Sequence, residues 1–195
     1  MQFERLDIPD VILITPKKFG DERGYFMESF RKSLFEGAVG NFDFVQDNQS
    51  LSADAGTIRG LHFQLEPKAQ GKLVSCVTGA ILDVAVDIRT GSPTYGHHVT
   101  AELTPDNGQM LWVPAGFAHG FCTLEANTKV SYKVTEYYSP EHDRGLAYDD
   151  PEIDINWPIA SGKAVLSAKD RRQPALAELG AVFTYSQSSI CSLEG

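Results

Sequence analysis

Arg59 and His62 stand three residues apart in the stretch TIRGLHFQ (57 to 64), among Ile58, Leu61 and Phe63, residues that otherwise read as a strand. A cation and an imidazole cost free energy in an apolar layer unless something compensates them, so their presence points to a pocket or a strand edge. His119, in PAGFAHGF (114 to 121), follows a Pro and a Gly that make a tight loop suited to presenting a side chain. Asp170, in LSAKD (166 to 170), and Tyr132, in a strand-like run at 128 to 138, add a carboxylate and a phenol. Histidine is the natural proton acceptor near neutral pH, and a carboxylate behind it fixes the tautomer and stabilises the imidazolium. Arginine and lysine hold phosphates or developing oxyanions. Taken singly, each residue also has a plain structural reading. His62 can be a hydrogen-bonded core residue, Asp170 the cap of a following helix, Tyr132 a core aromatic with a satisfied hydroxyl, and Lys72 and Lys169 solvated cations.

The elements that must position these groups show a dominant period of two. In KLVSCVTGAILDVAVDIR (72 to 89), Leu82, Val84, Val86 and Ile88 alternate with Asp83, Ala85 and Asp87, and Thr78-Gly79 reads as a hairpin turn, predicting a half-buried antiparallel pair. Val130, Tyr132 and Val134 share one face against Lys129, Ser131 and Lys133, which turns Tyr132 inward. Further short strands are expected at 11 to 14, 25 to 30, 43 to 49, 97 to 103, 109 to 113 and 120 to 124. Helical periodicity is confined to about 30 to 38 and 173 to 179. Many short strands at regular spacing imply a β-sandwich or barrel, whose edges are often hidden by a second subunit.

The bulk composition narrows the function classes. A chain of 195 residues, 42% hydrophobic and without a linker-like stretch, reads as one domain over 1 to 183 with a weakly held tail, TYSQSSICSLEG, over 184 to 195. With 17 Lys plus Arg against 26 Asp plus Glu, the net charge of -9 argues against nucleic acid or anionic membrane as a partner. Cys76, Cys122 and Cys191 are odd in number and widely spaced, which suits buried thiols in a reducing compartment and a cytoplasmic protein. No apolar stretch approaches the length of a membrane span, and the N-terminus lacks the apolar core of a signal peptide. The five histidines do not assemble a metal-ligand set, because His62 is followed two residues on by Gln64 and adjacent His97 and His98 point to opposite faces of a strand. No metal and no cofactor are expected, and the absence of GxGxxG agrees that no nicotinamide is used.

The blocks DERGYFMESF (21 to 30), FVQDNQS (44 to 50), TIRGLHFQ, QGKLVSCVTGAILDVAVDIRTGSPTYG (70 to 96), WVPAGFAHGF (112 to 121), YKVTEYYSPEHDRG (132 to 145) and LSAKD occur in this order over roughly residues 3 to 176. Together they resemble the dTDP-4-dehydrorhamnose 3,5-epimerase family. The resemblance implies an all-β, double-stranded β-helix (jelly roll, cupin-like) barrel with a few short helices. It also implies a metal-free homodimer with shared sites, and a dTDP-4-keto-6-deoxy sugar as substrate. By the same resemblance His62 is the catalytic base, Asp170 its orienting carboxylate and Tyr132 the proton donor on the opposite face of the sugar. Arg23, Glu28, Gln46, Asp47 and Asn48 correspond to residues at the nucleotide end, Arg23 and Glu28 reaching a neighbouring subunit's ligand. Arg59, Lys72, His119 and Lys169 correspond to sugar and diphosphate contacts, and Tyr138 to an aromatic wall. Asp143 departs from the pattern, since many relatives carry Glu there and Asp is one methylene shorter.

The roles are chemically coherent. Inverting a carbon beside a ketone needs a base for the α-proton, donors for the enolate oxygen and an acid that returns a proton on the other face. Two classes stay open on the residues alone: a double epimerase, and a related barrel that epimerises one carbon, isomerises the ketone or only binds the sugar nucleotide. The joint presence of His62, Asp170 and Tyr132 favours the first.

Overall fold

The structure, a computed structural model, describes residues 1–160 and 162–186. A six-stranded antiparallel sheet runs in the order β1 (Gln2–Arg5), β2 (Ile12–Thr15), β11 (Met110–Val113), β7 (Lys72–Thr78), β13 (Thr128–Val134) and β5 (Gln46–Ser52). A five-stranded antiparallel sheet runs β10 (His98–Leu103), β8 (Ile81–Asp87), β12 (Phe117–Thr123), β6 (Ile58–Gln64) and β14 (Asp143–Gly145). The remaining strands form two small ribbons, β3 (Lys18–Asp21) with β4 (Gly24–Met27), and β9 (Arg89–Thr90) with β15 (Phe183–Thr184). This is the jelly-roll architecture.

The main core lies between the two large sheets, where Val74, Leu111 and Val130 of one meet Ile81, Ala85, Val99 and Phe121 of the other. Each sheet is also covered outside. The helix α1 (Lys32–Ala38) sets Phe35 against Trp112, Ile12 and Leu73 on the six-stranded sheet. Leu146, Ile153 and Leu176, from the chain after β14, cover Leu61, Val84, Val86 and Ile88 on the five-stranded sheet. Strands covered on both faces explain why Asp83, Ala85 and Asp87, opposite the aliphatic row of β8, are as buried as that row.

Two expectations are corrected. Residues 72 to 89 do not form a half-buried hairpin: β7 pairs with β11 and β13, whereas β8 pairs with β10 and β12 in the other sheet. Gly79, at φ +79°, turns the chain from one sheet into the other. A Cβ there would lie 2.2 Å from Thr128 Oγ1, so the crossing requires glycine. Alternation assigns faces but does not choose neighbours, so it does not distinguish a hairpin from a crossing between sheets. The helix expected over 173 to 179 is instead two short 3₁₀ turns, Asp170–Arg172 and Leu176–Glu178. Pro174 lacks the amide hydrogen and pushes Gln173 to an extended ψ of 145°, so an α-helix cannot pass through.

The segment expected as a loose tail begins in an ordered ribbon. Thr184 is in β15, and the Tyr185 amide donates to the Thr90 carbonyl at 2.9 Å. Residues 187–195, with Cys191, lie outside the described residues. Cys76 and Cys122 are free and buried, and burial pushes both thiols up to about 11, which leaves neither a ready nucleophile. Among the described residues no helix is long and apolar enough to cross a membrane.

Candidate active site

A pocket of about 430 Å³ opens where β5, β13 and β7 of one sheet face β12, β6 and β14 of the other. Its lining brings together Arg59, His62, Lys72, His119, Tyr132, Tyr138, Asp143, Lys169, Asp170, Gln46 and Asn48.

The pocket depends on an irregularity in TIRGLHFQ. In a regular strand, side chains three residues apart point to opposite faces, so Arg59 and His62 should diverge. Against β12, however, His62 pairs with His119 while Arg59 pairs with Phe121, so β6 spends one more residue than its neighbour over this interval. The extra residue turns Arg59 and His62 to the same side while Leu61 packs into the outer core. Gly60, at φ +133°, makes the bulge; a Cβ on it would lie 2.5 Å from the Gly120 Cα, so the two strands touch through paired glycines. Arg59 and His62 are thus presented to a cavity rather than buried in a core.

His62 is the centre of the polar arrangement. Its Nε2 lies 2.6 Å from Asp170 Oδ1, with the imidazole about a third exposed (31%) and the carboxylate nearly covered (4%). Burial works to raise the Asp170 carboxyl, but the hydrogen bonds from His62 and Ser167 and the charge of Lys169 outweigh it and hold the group below its ordinary range. Asp170 opens a 3₁₀ turn rather than capping a helix. Tyr132 reaches the pocket from β13, in the opposite sheet, and burial pushes its phenol above the usual value, with Asp143 and Tyr138 adding to the shift and Arg59 opposing it. Its hydroxyl therefore keeps its proton at neutral pH.

The cations are anchored. Arg59 donates from Nε to Ser52 Oγ and from its terminal nitrogen to the Leu51 carbonyl, both at 3.0 Å. Lys72 donates to the His62 carbonyl at 3.1 Å, and burial pulls its ammonium down to about 8 against the opposing pull of Asp143 and Asp83. His119 Nε2 lies 2.8 Å from Asp83 Oδ1. At the rim, Asp143 Oδ2 accepts from Tyr138 Oη at 3.1 Å and also from Lys169 Nζ, so the short carboxylate ties three elements together. Gln46 donates to Asn48 Oδ1 at 2.7 Å and accepts the Tyr138 amide at 3.1 Å.

Three expected site residues lie elsewhere in the described chain. Asp47 alternates to the other face of β5, where it pairs with Lys133 at 3.0 Å. Arg23, in the turn between β3 and β4, is exposed and pairs with Asp21 at 2.6 Å, and Glu28 pairs with Arg31 at 2.6 Å. Sequence reasoning passed over Ser50, Gln64, Gln70 and Ser167, which also line the pocket, and Asp83 behind it. Ser50 and Gln64 continue the two-residue period from Asn48 and His62, and an acid in the apolar run ILDVAV was a visible signal for Asp83. Among the described residues no group of three or more His, Cys, Asp or Glu is placed to hold a metal ion.

A jelly-roll barrel with a histidine–carboxylate pair facing a phenol among anchored cations is equipped for proton transfer on an anionic ligand. The family model for dTDP-4-dehydrorhamnose 3,5-epimerase matches residues 5–178, and the chain belongs to that family. It is 62% identical over 185 residues to the dTDP-4-dehydrorhamnose 3,5-epimerase of Sinorhizobium fredii, covering 95% of this chain and 94% of that one. Among solved structures it is similar to the dTDP-6-deoxy-D-glucose-3,5-epimerase of Legionella pneumophila in complex with dTDP-4-keto-L-rhamnose. That match has 42% identity and a TM-score of 0.90 over 95% of this chain and 98% of that one. It is also similar to a 3'-monoepimerase from Streptomyces bikiniensis in complex with dTDP-quinovose, at 33% identity and a TM-score of 0.86 over 92% of each chain.

Proposed function

We infer that the chain is an isomerase of dTDP-rhamnose biosynthesis that inverts C3 and C5 of dTDP-4-dehydro-6-deoxy-glucose to give dTDP-4-dehydro-rhamnose. The observation that carries the mechanism is the His62–Asp170 contact of 2.6 Å, with Tyr132 on the facing sheet. His62 takes the proton α to the C4 ketone, and Asp170 neutralises the imidazolium that forms. Lys72 holds the enolate oxygen, His119 contacts the sugar, and Tyr132 returns a proton from the other face of the ring. Arg59 and Lys169 hold the diphosphate, a task suited to anchored cations. Tyr138, exposed at the rim, offers a wall for the base, and Gln46 and Asn48 line that end.

The expected nucleotide residues Arg23 and Glu28, which lie away from this pocket, imply a homodimer with shared sites. Support comes from the β3–β4 ribbon, which carries Arg23 and exposes Phe19, Tyr25 and Phe26, a costly surface for a lone chain. Light scattering at working concentration is expected to give a dimer; a fully active monomer would end this reading. Free buried thiols at Cys76 and Cys122 suit a cytoplasmic setting.

The test of the reaction is solvent deuterium incorporation with dTDP-4-keto-6-deoxyglucose, followed by NMR. Label at both C3 and C5 with inversion is expected. Label at one carbon only would make the chain a single-site epimerase, the activity named for the Streptomyces bikiniensis relative. No label at either carbon would leave a binding protein.

A further inference from the structure

Behind the pocket lies a carboxylate for which the proton transfers above have no use. Asp83 belongs to β8, and none of its side chain is exposed. Its Oδ1 contacts His119 Nε2 at 2.8 Å, whereas Oδ2 has no protein partner among the described residues. Burying a carboxylate with one oxygen unpaired is costly, and an apolar residue of similar size would pack there at lower cost.

The register says what this carboxylate serves. Asp83 pairs with Phe121 on β12, two residues from His119, so Asp83 and His119 share a face. His119 pairs in turn with His62 on β6. The two imidazoles are therefore cross-strand neighbours, with Cβ atoms expected roughly 5 Å apart, and each is engaged through Nε2 by a carboxylate. A sugar ring seated against His62 also meets His119. Burial works against the Lys72 ammonium, and Asp143 and then Asp83 work for it, so Asp83 also bears on the cation at the enolate oxygen.

We propose that Asp83 is a positioning residue of the epimerisation, holding His119 by Nε2 in one ring orientation and one tautomer so that its bare Nδ1 accepts from a hydroxyl of the sugar. An ionised carboxylate only accepts, so it requires the proton on Nε2. A carboxamide can present either oxygen or NH₂ and imposes no such choice. The inference rests on the epimerase reading above.

The experiment compares the full-length chain with Asp83→Asn, His119→Asn and the double variant. It follows kcat and KM on the dTDP-4-keto-6-deoxy sugar and the ¹⁵N signals of the His119 ring. The wild-type ring is expected to carry a proton on Nε2, and Asp83→Asn to mix tautomers. The same variant is expected to lower kcat by about 10- to 100-fold, the usual range for a partner that orients a functional histidine, with KM moving much less. In the His119→Asn background it should cost nothing more, because the two residues act as one unit. An unchanged kcat in folded Asp83→Asn, or losses that multiply independently, would overturn the proposal. So would a wild-type His119 protonated on Nδ1 alone, a result that needs no variant to fold. A wild-type chain that neither labels nor inverts the sugar would remove the epimerase reading instead, while the ring signals still decide the Asp83 contact.

Discussion

Asp170→Asn isolates the charge behind the base. The substitution keeps the shape of a side chain that is 4% exposed and removes only its negative charge. When His62 takes a proton, the imidazolium faces the carboxylate across a 2.6 Å contact. With charge centres about 4 Å apart and an effective dielectric of about 20, the attraction is roughly 4 kcal/mol. That is close to three powers of ten in rate, and the partial exposure of His62 trims it toward two. We expect Asp170→Asn to slow deuterium wash-in by about 10²- to 10³-fold while KM changes little. The variant should also differ in acid. The folded Asp170 carboxyl is held below its ordinary value, so it contributes stability above the unfolded pKa of about 4 and loses it as pH falls through the folded value. Asp170→Asn therefore lacks that part of the acid sensitivity, measurable as a flatter Tm against pH below about pH 4. Wash-in at the wild-type rate in a folded Asp170→Asn chain would refute the reasoning and reduce Asp170 to a structural partner.

Tyr132→Phe keeps the ring but removes its transferable proton, so NMR in deuterated solvent is expected to find label gained with configuration retained; inversion at the wild-type rate would name another acid. Lys72, drawn down to about 8, is expected to lose its charge above that pH, so kcat/KM should fall on an alkaline limb near 8 that Lys72→Gln abolishes. The unfolded lysine still binds its proton there, so stability is expected to rise slightly with pH between about 8 and 10.4, visible by denaturant titration. Gly60→Ala places a Cβ 2.5 Å from backbone at a φ of +133° and is expected to cost about 2–4 kcal/mol in urea unfolding; a cost under about 0.5 kcal/mol would mean that the bulge is not enforced by glycine. His62 and His119 each engage a carboxylate through Nε2, so activity is expected to survive exhaustive EDTA; loss restored by one divalent ion would contradict this.

Much of the protein is written in local pattern. The period of two in β8 and β13, the turn residues between strands and the scarcity of helical spacing determine an all-β barrel, because faces and breaks are local properties of a chain. The ordered blocks carried the family, and with it His62, Asp170 and Tyr132, which the fold brings to one cavity from β6, a 3₁₀ turn and β13. What stayed hidden is non-local. Nothing near Gly79 says that β7 and β8 part into different sheets, since a strand buried on both faces reads the same whichever neighbour it takes. The odd spacing of Arg59 and His62 predicts divergence until the contact of Gly60 with Gly120 sets a bulge that turns both into the pocket. Asp83 looked like one of two acids on an alternating strand, and only the register of β8 against β12 sets it under His119. Residue types and their faces are decided along the chain, whereas partners across it depend on which strands meet and in what register, and that is settled only when both sides of a long loop pack together.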